Sequence, residues 1–168
     1  PKPQNPLNLK YMYYLKSNNL ETLHINYPEE KYTLPFIQGF CSCDPIKIIN
    51  DYNGIRFIAI SSNDIENYPQ DSPEKMKLLF QDLGISIPYL FDETQEISKL
   101  FKAECTPEFY LFNKERALVY RGRLDSSSPG NSDEVDGRDL RKAIDLTLDN
   151  KDVKFDQFPS MGCNIKWK

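Results

Sequence analysis

Hydrophobic positions along this chain change their spacing several times, and each change predicts an element. The plainest strand pattern lies in residues 101–123, where Phe109 and Leu111, then Leu118 and Tyr120, alternate with their neighbours around Asn113-Lys114-Glu115-Arg116. Period-two alternation on both sides of a polar tetrapeptide predicts a half-buried hairpin. Pro107 precedes the first of these strands, where its missing N–H costs no ladder bond, and Thr106–Pro107 is a candidate cis peptide bond. Residues 34–40 and 55–61 are nearly unbroken apolar runs, the pattern of strands buried on both faces. Between them come Cys41-Ser42-Cys43-Asp44-Pro45 and then Ile46, Ile48 and Ile49. Asp44 suits an N-cap, Pro45 the first helical position, and Asn53-Gly54 the end of a short helix. Strand, helix and strand predict one βαβ unit with both cysteines at a helix N-terminus.

The remaining pattern completes an α/β order. Asp71-Ser72-Pro73-Glu74 opens a helix with Met76, Leu78, Leu79 and Phe80 inward and Gly84 at its end; residues 87–91 form a short strand. Asp92, with Gln95 three residues on, has the form of a capping box for a helix through Ile97, Leu100 and Phe101. Residues 121–136 are a polar loop, within which Asp133-Glu134-Val135-Asp136 is a solvated stretch and not a calcium loop. Leu140, Ile144 and Leu148 mark a last amphipathic helix. Near the start, residues 11–15 suit a strand, Ser17-Asn18-Asn19 a turn, and residues 23–27 a strand pairing back, with His24 at its surface. Three regions follow: an N-terminal extension (1–33), an α/β domain (34–149) and a C-terminal tail (150–168). Phe155, Phe158, Met161, Ile165 and Trp167 make that tail too apolar to stand free, so it is expected to pack on the domain or on a partner.

Composition narrows the function classes. A chain of 168 residues is long enough for one domain with a sizeable core. Its net charge of −4, with basic residues spread along the chain, argues against a nucleic-acid surface. No apolar run approaches the roughly 18 residues of a membrane helix. Cys41, Cys43, Cys105 and Cys163 are too few for a disulfide scaffold, no Cys-x-x-Cys occurs, and His24 is the only histidine. No metal site and no cofactor are therefore expected, and mostly reduced thiols fit a soluble, intracellular protein. The chain opens on Pro1, which is compatible with an upstream targeting peptide for an organelle; residues 1–168 contain no signal sequence.

The chemistry worth testing is that of the thiols. A cysteine at a helix N-terminus meets unpaired N–H groups and the positive end of the helix dipole, which favour thiolate, the nucleophile of disulfide exchange and peroxide reduction. Cys43 is the candidate nucleophile, with Cys41 or Cys105 to resolve the oxidised form. Cys105 alternatively packs as a small hydrophobe, and Cys163 is expected to be structural. Arg121 and Arg123 share a face in an extended segment and are candidates to hold a thiolate or an anionic substrate; pairing with Asp125 or Glu115 is the alternative. Asn63 and Asp64 end a strand at its carboxyl edge, where ligands bind in open α/β sheets, although capping the loop is their ordinary role.

Several ordered runs carry a family resemblance: residues 59–64 (AISSND), 67–76 (NYPQDSPEKM), 105–109 (CTPEF), 120–125 (YRGRLD) and 160–168 (SMGCNIKWK). Together they resemble the thioredoxin-like proteins related to the alkyl hydroperoxide reductase/thiol-specific antioxidant superfamily, often called peroxiredoxin-like. The resemblance covers residues 55–168 and implies a thioredoxin-like fold, a central mixed β-sheet flanked by helices. It further implies that Pro107 is a cis-proline facing the active-site helix, so that Thr106 and Pro107 shape a substrate groove, and that the loop before the first helix carries a redox-active cysteine. The chain departs from the family at that loop. Cys41-Ser42-Cys43-Asp44-Pro45 stands where members carry a Cys-Asn-x-Cys-Pro type sequence. Gln38 and Phe40 stand where a Thr-x-x-Cys context would place threonine, and residues 41–54 leave room for only a short helix. Two functions follow. One is a thiol-dependent redox protein reducing a peroxide or disulfide, served by a thiol reductant or disulfide partner protein. The other is a catalytically degenerate module of a larger assembly, touching its partners through residues 1–33 and the tail.

Overall fold

A computed structural model describes the backbone of residues 12–16, 19–23, 34–38, 45–52, 55–128 and 130–168, and within those spans the side chains from residue 46 onward. Its centre is a five-stranded mixed sheet. Three parallel strands come first: β3 (Leu34–Gln38), β4 (Ile58–Ser61) and β5 (Tyr89–Phe91). The hairpin strands β7 (Glu108–Phe112) and β8 (Leu118–Gly122) add antiparallel on the other side of β3, giving the order β5-β4-β3-β7-β8. Two short ladders stand outside this sheet. One pairs β1 (Met12–Lys16) with β2 (Asn19–Leu23), the other β6 (Cys105–Thr106) with β9 (Cys163–Asn164). The helices are α1 (Pro45–Asp51), α2 (Pro73–Asp82), α3 (Glu96–Phe101) and α4 (Arg138–Leu148).

The sheet separates two cores. On one side Phe109, Leu111 and Tyr120 meet Ile48 of α1 and Leu140, Ala143 and Ile144 of α4. On the other, Ile58, Ile60, Tyr110 and Phe112 meet Phe101 of α3, Ala103 and Ile165 of the tail. Every residue of β7 is buried, so the strand expected to be half-buried is covered on both faces. The reason is its place between β3 and β8, with helices on both sides of the sheet. The residue capping the start of α4 is Gly137, whose φ of 70° lies in the left-handed region. A Cβ there would lie 2.4 Å from Cδ1 of Ile48. The buried Asp125 carboxylate accepts the Gly137 N–H at 2.6 Å and so fixes how the helix enters the core.

Several sequence expectations are corrected in detail. The strand that pairs with β1 is Asn19–Leu23, in the register Lys16↔Asn19 to Met12↔Leu23, so residues 19–22 are strand and not lead-in; residues 24–27 of the expected strand lie outside the described residues. His24, Asp44 and Asn53-Gly54 lie outside the described residues. Leu78, Leu100 and Leu148 were expected inward and are exposed. In α4 each step of four residues rotates about 40° around the helix, so Leu148 drifts off the face that Leu140 and Ile144 bury, and Ala143 joins them inside. Asp92 caps α3 through its own carboxylate, which accepts the N–H groups of Ile97 and Ser98. Gln95 does not complete a capping box; its side chain is turned to the C-terminal tail.

Candidate functional site

One end of the sheet collects what the sequence singled out. Gln38, the last residue of β3, stands in register with Glu108, and Phe109 with Gly122. The carboxyl ends of β3 and β8 therefore lie level with the start of β7, immediately after Pro107. The Thr106–Pro107 peptide bond is cis, and Pro107 is buried. Cys41 follows Gln38 by three residues and Cys43 precedes Pro45, the first residue of α1, by two; both cysteines lie outside the described residues. α1 has seven residues, matching the short connection expected between the parallel strands.

Cys105 belongs to this end but is not set up as a resolving thiol. It is buried, and its Sγ faces the carbonyl oxygens of Ser160 at 3.4 Å and of Pro107 at 4.0 Å. Burial, with the nearby Glu108 and Glu104 carboxylates, pushes its pKa up to about 11. At neutral pH it is a protonated thiol donating to backbone oxygen, the opposite of the activated state a resolving role requires. Cys163, expected to be packed, is exposed. It pairs with Thr106, whose Oγ1 donates to the Cys163 carbonyl at 3.3 Å. In that antiparallel register Cys105 is opposite Asn164, so the Cys105 and Cys163 side chains leave opposite faces of the ladder.

The two arginines are already engaged. Arg121 Nε lies 2.7 Å from Glu108 Oε1 and its terminal nitrogen donates to the Lys102 carbonyl, while its guanidinium lies over the Tyr110 ring. Arg123 Nε lies 2.7 Å from Asp139 Oδ2, over the ring of Phe158. Their partners are Glu108 and Asp139, not Glu115 and Asp125, because β7 and α4 are the elements that pack on β8. Each guanidinium meets a carboxylate, so neither presents the uncompensated charge an anionic substrate would need. Glu108 itself was missed by sequence reasoning. It is a buried carboxylate beside the cis-proline, accepting from Arg121 and from the Glu104 N–H. Its only sequence signal was a charge within an otherwise apolar strand.

Asn63 and Asp64 serve the tail as well as the loop. Asn63 Oδ1 accepts the Lys166 N–H and the Asp64 N–H donates to the Lys166 carbonyl. The Asp64 carboxylate accepts from Asn67 Nδ2 and the Glu66 N–H, and these bonds, led by Asn67, hold its pKa below the ordinary value. Among the described residues no group of three or more His, Cys, Asp or Glu side chains could hold a metal ion. No helix among them is long and apolar enough to cross a membrane.

A parallel–antiparallel sheet with helices on both faces and a cis-proline opening β7 is a thioredoxin-like fold. A putative thioredoxin from Neisseria meningitidis shares the fold with a TM-score of 0.57 at 18% identity, over 86% of this chain and 91% of that one. A closer match is an uncharacterised conserved protein from Geobacillus kaustophilus: 37% identity and a TM-score of 0.85 over 100% of this chain and 93% of that one. A hypothetical protein from Sinorhizobium meliloti 1021 matches at 36% identity and a TM-score of 0.81, over 94% and 91%. The chain belongs to the family of these last two proteins. No family model and no curated protein matches it.

Proposed function

We propose that this chain is a thiol-dependent redox protein of the thioredoxin type. Cys43 is its nucleophile and Cys41 its resolving thiol. The observation that carries the reading is the register Gln38↔Glu108. It places the carboxyl end of β3, three residues before Cys41 in the sequence, level with the residue that follows the cis Thr106–Pro107 bond. The fold shared with a putative thioredoxin supports the same reading.

The step is disulfide exchange. Cys43 thiolate attacks one sulfur of the substrate, and a Cys43–substrate mixed disulfide forms as the other sulfur leaves as thiolate. Cys41 then attacks Cys43, releasing the second substrate thiol and leaving a Cys41–Cys43 disulfide, which an external dithiol reduces. Peroxide reduction is the finer alternative at the same sulfur: attack on the O–O bond gives Cys43 sulfenic acid and an alcohol or water, and Cys41 condenses with the sulfenic acid to release water. Disulfide exchange is favoured, since no threonine stands three residues before either cysteine. Against Cys105 as the resolving thiol stand its burial, which also raises its pKa, and the Ser160 and Pro107 carbonyls that its Sγ faces.

The test is turnover of a disulfide and of hydrogen peroxide with dithiothreitol as reductant, in the wild type, Cys43→Ser and Cys41→Ser. Disulfide turnover lost by roughly 100-fold or more in Cys43→Ser is expected for removal of a nucleophile. Wild-type rates no faster than those of a free thiol would overturn the reading and leave a non-catalytic module, with residues 1–33 and the tail as its candidate partner surfaces.

A further inference from the structure

Residues 157–168 lie across the end of the sheet that holds the carboxyl end of β3 and the cis-proline, and the crossing is pinned along its length. At β8 the Gln157 side chain takes the place of a strand. Its Oε1 accepts the Arg121 N–H and its Nε2 donates to the Val119 carbonyl, both at 2.9 Å. The Arg123 N–H then donates to the Phe158 carbonyl, and Ser160 Oγ to the Gly122 carbonyl. Midway, β9 pairs with β6, the two residues that lead into the cis-proline. Gly162 lies so close that a Cβ there would stand 2.1 Å from the Thr106 carbonyl oxygen. At the far end Ile165 is buried in the core, 3% exposed. The Lys166 carbonyl accepts from both the Asp64 N–H and Gln95 Nε2, at 2.8 Å each. The N–H groups of Lys166 and Lys168 donate to Asn63 and Gln95.

An extended polypeptide is held at such a place by adding itself to an open strand edge, with main-chain hydrogen bonds supplying much of the affinity. Here β9 already uses the edge of β6 and Gln157 already caps that of β8. A buried isoleucine and a double-acceptor carbonyl anchor the occupant. It is therefore a fixed wall of the site, unlike a lid.

We infer, on the redox reading above, that the tail restricts this protein to small-molecule disulfides and excludes disulfide-bonded polypeptides. A compact disulfide has no strand to add, whereas a polypeptide held by strand addition beside the cis-proline would need the edge of β6 that β9 occupies. The chain's own C-terminal segment is thus its specificity determinant, with Gly162 the residue that lets it lie against Thr106.

The test compares kcat/KM for 2-hydroxyethyl disulfide and for insulin, each corrected for dithiothreitol alone. Measurements use the full chain, Gly162→Val and Gln95→Ala, with hydrogen exchange at the Asp64 and Arg123 amides reporting tail docking. The wild type is expected to favour the small disulfide by roughly tenfold or more. Either variant should raise insulin turnover several-fold while leaving the small disulfide within about twofold, with faster exchange at both amides; Gln95→Ala serves if Gly162→Val does not fold. Insulin turned over as efficiently as the small disulfide by the wild type, a tail released without gain in insulin turnover, or unprotected Asp64 and Arg123 amides in the wild type would each overturn the inference and leave the redox reading standing. No turnover of either disulfide would overturn both.

Discussion

Cys105 shows at the scale of one residue how surroundings outweigh chain position. Two residues before the cis-proline, it stands where a second reactive thiol would be useful, yet its Sγ faces the Ser160 and Pro107 carbonyls inside the fold. Burial and two carboxylates raise its pKa from 9.0 to about 11. As the folded value lies above the unfolded one, the unfolded chain loses this proton first when pH rises. The thiol's contribution to stability is complete below about pH 9 and lost as pH climbs through about 11. Iodoacetamide at pH 8, followed by mass spectrometry of the native protein, should therefore modify the exposed Cys163 well before Cys105. Equal rates at the two cysteines would show that Cys105 is accessible and activated, and would restore its candidacy as a resolving thiol.

At the scale of elements, short helices here depend on single polar side chains. α3 has only six residues, too few to persist by helix propensity. The buried Asp92 carboxylate collects the Ile97 and Ser98 N–H groups and the Ser62 hydroxyl, and so ties α3 to the end of β4. Asp92→Ala removes the cap and leaves buried donors without this acceptor, an expected loss of about 2–4 kcal/mol in urea unfolding. A change under about 0.5 kcal/mol would mean that other groups, or water, replace the carboxylate. That a helix starts just after Asp92 was readable from local spacing, but the amides its carboxylate takes, those of Ile97 and Ser98, were not. Nor was the part Gln95 plays, because its partners Ser62, Lys166 and Lys168 are far away along the chain.

For the whole molecule the C-terminal tail is the unifying feature, since it joins the edge of β8, the cis-proline ladder and the end of β4. Asp64 lies at that last junction, its carboxylate held below its ordinary pKa by Asn67 and the Glu66 N–H. A depressed folded value means stability that is present above the ordinary carboxylate pKa of 3.8 and lost as pH falls through the lower, folded one. The urea midpoint of the wild type should drop across that acid window, and that of Asp64→Asn should drop less. Parallel curves for the two proteins would remove Asp64 from the account.

What the sequence determined by itself was the order and type of the main-sheet strands and the four α-helices from residue 34 onward, the hairpin, the proline at its mouth and, through them, a thioredoxin-like fold; the short strands β6 and β9 were not legible. Those follow from local rules: periodicity, turn residues, and caps such as Ser72, whose side chain accepts the Lys75 N–H. The tertiary structure alone decided that β7 is covered on both faces, that Arg121 and Arg123 answer to Glu108 and Asp139, and that the tail returns to close the β6 edge. These outcomes rest on groups distant in sequence meeting across packed elements. Burial, pairing and access are properties of such meetings, and spacing along one strand or helix carries no record of them.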